Sequence, residues 1–330
     1  MDRRAFLAGS AAVLAAPLAA EGQQDGKVYR VGTLFSASRE DAVPRIAALE
    51  LGLAELGYVA GRNLVFVHRY AHPQLMGVAE LAAELVRAGV DVVVTATNPT
   101  TAAMMKATTT VPIVMAVGVE PVSAGLVANI TRPGGNVTGL TFDVDPTQLA
   151  GKRLEILKEL VPSLARAAVL WNPTYPPAGL RFKGTEDAGR KLGIAVISAR
   201  VREPGELERA FAELQRARAQ AVIVMSDPMT AAHAQRKRIA ELAASHRLPA
   251  IYALREFVEA GGLISYAASL VDQYRRAARY VDRILKGAKA GDLPVEQPIA
   301  FELWINAKAA KAIGFAIPQS LLLRADQVIQ

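Results

Sequence analysis

Short, unbroken apolar runs alternate with longer stretches whose apolar residues recur every three or four positions, and this rhythm persists from residue 28 almost to the end of the chain. The runs at 28–34, 91–95 and 112–117 read as strands buried on both faces, and 63–70 as a further extended segment. Helical spacing at 42–56 and 75–88 fills the gaps, each helix closed by a glycine, Gly57 or Gly89, and Thr97-Asn98-Pro99-Thr100 opens the next. Short connections between such elements predict a parallel sheet with helices on both faces.

The stretch 112–140 organises the rest. Its strand stops at Gly118-Val119-Glu120-Pro121, a short helix-like piece follows, and Pro133-Gly134-Gly135-Asn136 leads into a second extended run at 136–142. The same scheme then repeats: helices at 146–160, 178–192, 205–218 and 230–246, and strands at 167–171, 194–199, 221–225 and 249–252. An extended run at 263–266, a long amphipathic helix at 271–285, a run at 299–305 and a helix at 306–313 complete the chain. The fold class is therefore α/β, two Rossmann-like lobes with parallel sheets joined by a hinge. One lobe is expected over 23–141 plus about 268–297, the other over 142–267 plus about 298–330.

Residues 1–22 are expected to be an address. Adjacent Arg3 and Arg4, then Phe6-Leu7 and an Ala/Leu-rich run to Ala20, form a signal peptide, of the twin-arginine type or the general secretory type, cleaved before Gln23. The expected location is the periplasm. The 330 residues include no cysteine, which excludes disulfides, thiolate metal sites and a lipid-modified cysteine. The net charge of +7 is spread over helices also rich in acidic residues, without a basic block interleaved with aromatics, so no nucleic-acid partner is expected.

Ligands of open parallel sheets sit beyond the carboxyl ends of the strands. Those ends carry Ser36, Thr97, Asn98, Thr100 and Glu120 in the first lobe, and Asn172, Asp227, Tyr252 and Arg255 in the second. Carboxylates for an ammonium and a guanidinium for a carboxylate would suit an amino acid or small organic acid, and Tyr252 or Phe35 could stack on an aromatic one. Each also has a structural reading: Thr97, Asn98 and Thr100 as helix caps, Asn172-Pro173 and Asp227-Pro228 as turns, Arg255 as a surface ion pair. Gly134, Gly135 and Gly139 precede a strand, unlike a dinucleotide loop, and there is no Gly-x-Ser-x-Gly elbow or P-loop. Of four histidines, His68 and His72 lie on a strand and its turn rather than one helical face, so no metal or other cofactor is expected.

Several segments carry a resemblance: Gly52-Leu53-Ala54-Glu55-Leu56-Gly57-Tyr58 with Gly61-Arg62-Asn63, then Pro133-Gly134-Gly135-Asn136-Val137-Thr138-Gly139, Gly151-Lys152-Arg153-Leu154-Glu155, REFVEAGGLISY from Arg255, and SLLLRADQVI near the end. Together they resemble the substrate-binding proteins of ABC transporters of the tryptophan/tyrosine-binding type. That resemblance implies a type I periplasmic-binding-protein fold, a monomer whose lobes close on a small-molecule ligand, a membrane permease as partner, and no catalysis. Family members more often carry Asp where this chain has Glu120 before Pro121. A ligand-presenting protein for a sensor, or an exported α/β enzyme, would be the alternatives.

Overall fold

A computed structural model describes residues 27–71, 77–143 and 146–330; the expected signal peptide, His72 and the expected start of the second helix at 75 lie outside the described residues. In chain order the elements are β1 (Tyr29–Phe35), α1 (Arg39–Ala54), β2 (Leu64–Tyr70), α2 (Val78–Arg87), β3 (Val92–Thr95), α3 (Asn98–Ala107), β4 (Ile113–Gly118) and β5 (Val137–Thr141). There follow α4 (Pro146–Leu160), β6 (Arg166–Trp171), α5 (Pro176–Leu192), β7 (Ala195–Arg200), α6 (Leu207–Arg216), β8 (Ala221–Val224), α7 (His233–Ser245) and β9 (Ala250–Tyr252). The chain ends with α8 (Glu256–Glu259), β10 (Ile264–Ala267), α9 (Leu270–Leu285), β11 (Glu302–Asn306), α10 (Ala307–Ile313), α11 (Gln319–Arg324) and β12 (Gln327–Ile329).

The first sheet has the order β2-β1-β3-β4-β5, every pairing parallel. The β3 run Val92-Val93-Val94-Thr95 is buried throughout because helices cover both faces. Leu49 and Leu53 of α1 and Ala277 and Val281 of α9 pack on one face with Val92 and Val94. Leu85 of α2 and Met104 of α3 pack on the other with Val93 and Ile113.

The second sheet has the order β12-β11-β10-β9-β8-β6-β7. It departs from the all-parallel expectation at one pairing, β10 with β11, which is antiparallel from Ile264 opposite Ile305 to Ala267 opposite Glu302. The cause is the route of the chain. After β10 it leaves for α9, which packs on the first sheet, and it re-enters the second sheet from the same end, so β11 must run the other way. The strand β12 was not anticipated; it is three residues long and partly exposed, with too little alternation to signal a strand.

Several boundaries shift for local reasons. Helix α5 starts at Pro176-Pro177, two residues before the expected position, because proline suits the first turn, whose N–H groups lack partners anyway. Helix α7 starts only at His233, since residues 228–231 are held in turns over Asp227. The expected helix-like piece after Glu120 is a series of turns, and Glu120 itself takes a left-handed φ of 44°.

The chain passes between the sheets three times: after β5, after β10, and between Val295 and β11. These crossings are tied together. Thr141 N donates to Glu296 O at 2.8 Å, Glu296 N to Gly139 O at 3.0 Å, and the buried Gln273 amide of α9 donates to Thr141 O. Gly139 makes the first crossing possible. Its φ is 132°, and a Cβ there would stand 2.1 Å from Met115 O, where the β4–β5 register shifts. Replacing Gly139 by Ala is expected to cost at least about 2 kcal/mol and lower the melting temperature by several degrees. Gly179→Ala, in α5 with open space around it, should leave stability unchanged or slightly raised; differential scanning calorimetry on both variants checks this.

Candidate functional site

The carboxyl ends of β1, β3 and β4 face those of β6, β8 and β9 across a cleft, and a cavity of about 70 Å³ lies between them. Ser36, Thr97 and Val119 line it from the first lobe; Tyr175, Arg181 and Asp227 from the second; Phe142 and Leu270, from two of the crossings, form its rear wall. Of the nine residues expected from sequence, the fold brings Ser36, Thr97 and Asp227 together on this one surface. Asn172 borders an adjoining opening, shared with Pro99 of the first lobe.

The others do structural work in this arrangement. Asn98 is buried and clamps Val119 from both sides, its Oδ1 accepting from Val119 N at 2.9 Å and its Nδ2 donating to Val119 O at 2.6 Å. This clamp sets the backbone from which Glu120 departs, although Glu120 does not line the cavity. Thr100 is fully buried; its hydroxyl donates to Thr97 O at 2.8 Å and accepts from Thr97 N at 2.9 Å, so it caps α3.

Two more of the expected residues lie away from the cavity. Tyr252 is fully buried and stacks on Phe257 at 4.7 Å between centroids. Gly262 is the reason it fits, since a Cβ there would meet the Tyr252 ring at 2.5 Å. Arg255 turns away from the cleft onto β11, where it lies over the Trp304 ring at 5.1 Å and pairs with Glu302 at 3.4 Å and Glu259 at 3.8 Å. Phe35 is likewise core, stacked on Tyr70 and Tyr274. The aromatic rings that do border the cavity are Tyr175, in the turn before α5, and Phe142, the last residue of the extended run expected at 136–142.

Sequence reasoning also missed the cations. Arg181 of α5 pairs with Asp143 at 2.5 Å, with both side chains almost wholly buried, and donates to Ser226 O at 3.1 Å. Burial opposes its charge, but Asp143, with Tyr175 and Asp227, outweighs that and holds its pKa above the ordinary value. Arg45 of α1 borders the cavity and forms no ion pair among the described residues. Helical spacing identifies neither as more than a helix residue, because the partner of Arg181 lies 38 positions away.

Across the mouth of the cleft, Asp41 in the first turn of α1 meets Arg236 of α7 at 2.8 Å, the two side chains 7% and 9% exposed. Ser38 supports the carboxylate with its hydroxyl at 3.0 Å, and Arg236 also donates to Ala231 O at 2.9 Å. This pair joins the lobes and holds the cleft narrow.

Asp227 accepts from Met229 N at 2.8 Å and Thr230 Oγ1 at 2.9 Å, with Asn172 Nδ2 further off at 3.4 Å. Burial raises its pKa more than these donors lower it. A carboxyl whose folded pKa is raised stabilises the fold below the usual carboxylate range, and that contribution is lost as pH rises through the raised value. Asp227→Asn should therefore gain melting temperature relative to the parent as pH climbs from about 4 to 7. Paired thermal melts across that range check it; a difference that does not change with pH would contradict it.

Residues 39–329 match the family described as ABC transporter substrate binding protein. A tyrosine-binding protein of Clostridioides difficile (strain R20291) is 24% identical over 263 residues, covering 79% of this chain and 74% of that protein. Among solved structures, a conserved domain protein from Vibrio cholerae superposes with a TM-score of 0.84 at 27% identity, covering 92% of this chain and 100% of that one. The ABC domain in complex with L-Trp from Streptococcus pneumoniae gives 0.83 at 26% identity, with the same coverage. The family match runs from the first residue of α1 to the last of β12, through both sheets and all three crossings, and the chain belongs to the ABC transporter substrate binding proteins.

Proposed function

We propose that this chain captures a small amino acid or organic acid between its two lobes and delivers it to the membrane permease of an ABC transporter. It works as an exported, periplasmic monomer, by binding and release rather than catalysis. The lobes, 23–141 with about 268–297 and 142–267 with about 298–330, turn about the three crossings. The observation that carries this reading is the cavity at facing strand ends, to which both lobes and two crossings contribute side chains. The family match and the tyrosine- and tryptophan-binding relatives support the ligand class.

The chemistry of the cavity fits. Ser36 and Thr97 offer hydroxyls, Arg45 offers a cation to a carboxylate, and Asp227 offers acceptors to an ammonium. Closure works by population shift: ligand contacts to both lobes favour the closed form over the open one. A micromolar ligand brings roughly 8 kcal/mol to that balance. The buried Asp41–Arg236 pair forms only when the lobes meet, so it adds to closure whatever the ligand.

Size bears on the choice of ligand. A cavity of roughly 150 Å³ admits a benzene ring, about twice the 70 Å³ between the lobes here. Small amino acids and short organic acids need the least further parting of the lobes; tyrosine or tryptophan needs more. A thermal-shift screen of the mature chain against amino acids, aromatic acids and short organic acids tests the reading. At least one class should raise the melting temperature, by roughly 5 °C at a hundredfold excess over Kd. No shift from any class would overturn it.

A further inference from the structure

Beneath the cleft floor lies a second, smaller cavity of about 20 Å³, enclosed by α4, α5 and the end of β8. It shares Arg181 and Ser226 with the main cavity, so the two cavities adjoin at those residues. Its charged lining, among the described residues, is two guanidiniums and one carboxylate: Arg153, Arg181 and Asp143.

Asp143 is committed to Arg181, which reaches its Oδ2 with both Nε and Nη2. Arg153 is 8% exposed and, among the described residues, has one hydrogen bond, Nε to Tyr266 O at 3.1 Å. Its Nη2 is buried without a partner. Burial, with the repulsion of Arg181 and only partial relief from Asp143, lowers the Arg153 pKa to about 10, which still leaves it charged at neutral pH. A buried cation with an unused donor is costly. A water molecule filling the cavity would accept the hydrogen bond but leave the excess charge unbalanced. A compact anion would answer both.

We propose that this cavity is an anion subsite, in which Arg153 and Arg181 hold one compact anionic group behind the cleft. That group is either the second acidic group of a dicarboxylic ligand, whose remainder occupies the main cavity, or a free halide. The dicarboxylic source rests on the cleft being the ligand site, as proposed above; the halide source does not. In either case the charge excess sets this chain apart from a site tuned only to a neutral zwitterion.

The test is a set of melting curves on the mature chain at constant ionic strength. In one arm sodium chloride replaces sodium gluconate, whose anion is too bulky for the cavity. In the other, aspartate, glutamate and succinate are compared with alanine, glutamine and butyrate. A saturable rise of roughly 5 °C with chloride, or with a dicarboxylic acid over its matched control, is expected and identifies the source. Arg153→Met should abolish that rise, and Arg153→Lys should keep part of it. The methionine variant should fold, since it removes the desolvation cost of a buried cation that has no ion-pair partner among the described residues. No excess shift in either arm, or the same shift in Arg153→Met as in the parent, overturns the subsite. Equal shifts from alanine and aspartate, unchanged in Arg153→Met, would overturn the subsite while upholding the cleft as the ligand site.

Discussion

Everything in this molecule depends on how one chain joins two sheets at their carboxyl ends. Strand ends with loops and helix N-termini around them are where polar groups can converge. Here the three crossings bring two such edges face to face. The junction is held by backbone hydrogen bonds among residues 139, 141 and 296 and by the amide of Gln273. Only glycine at 139 lets β5 run close enough to Met115 for this to happen. The same junction supplies Phe142 and Leu270 to the lining of the cavity, so the junction and the cavity share residues.

On that pivot, two kinds of polar interaction divide the labour. Local ones fix loops: Asn98 clamps Val119, Thr100 caps α3, and Asp227 organises the turns before α7. Long-range ones act between elements far apart in sequence: Asp41 with Arg236 across the mouth, and Asp143 with Arg181 under the floor. The local set shapes the cavity whether or not it is closed. The Asp41–Arg236 pair spans the two lobes, and its burial makes it more than a surface contact.

The sheets were legible because both faces are covered, which leaves runs such as Val92-Val93-Val94 and Ala221-Val222-Ile223-Val224 with no polar interruption. Gly134 and Gly135 were legible as a strand approach rather than a phosphate loop: β5 at Val137–Thr141 follows them and contains Gly139. The site was legible as a region, since strand ends could be counted off; which side chains turn inward was not. Tyr252 and Arg255 sit beside the cleft in sequence, yet Gly262 opens a core slot for one ring and Trp304 with Glu302 draws the other side chain away. Arg181 and Arg236 carry no local mark at all, because what distinguishes each from other helix arginines is a carboxylate brought in by the fold.

The central claim is that the lobes close about the crossings and that Asp41 and Arg236 hold them closed. The absence of cysteine allows spin labels to be placed at Ala47→Cys on α1 and Lys237→Cys on α7, both exposed positions on opposite lobes. Double electron–electron resonance then reads the distance between lobes directly. With the Asp41–Arg236 pair intact, a short distance should dominate; in the Arg236→Met background a longer one should appear, and a ligand found by thermal shift should restore the short one. A single unchanged distance in all three conditions would contradict closure by this pair.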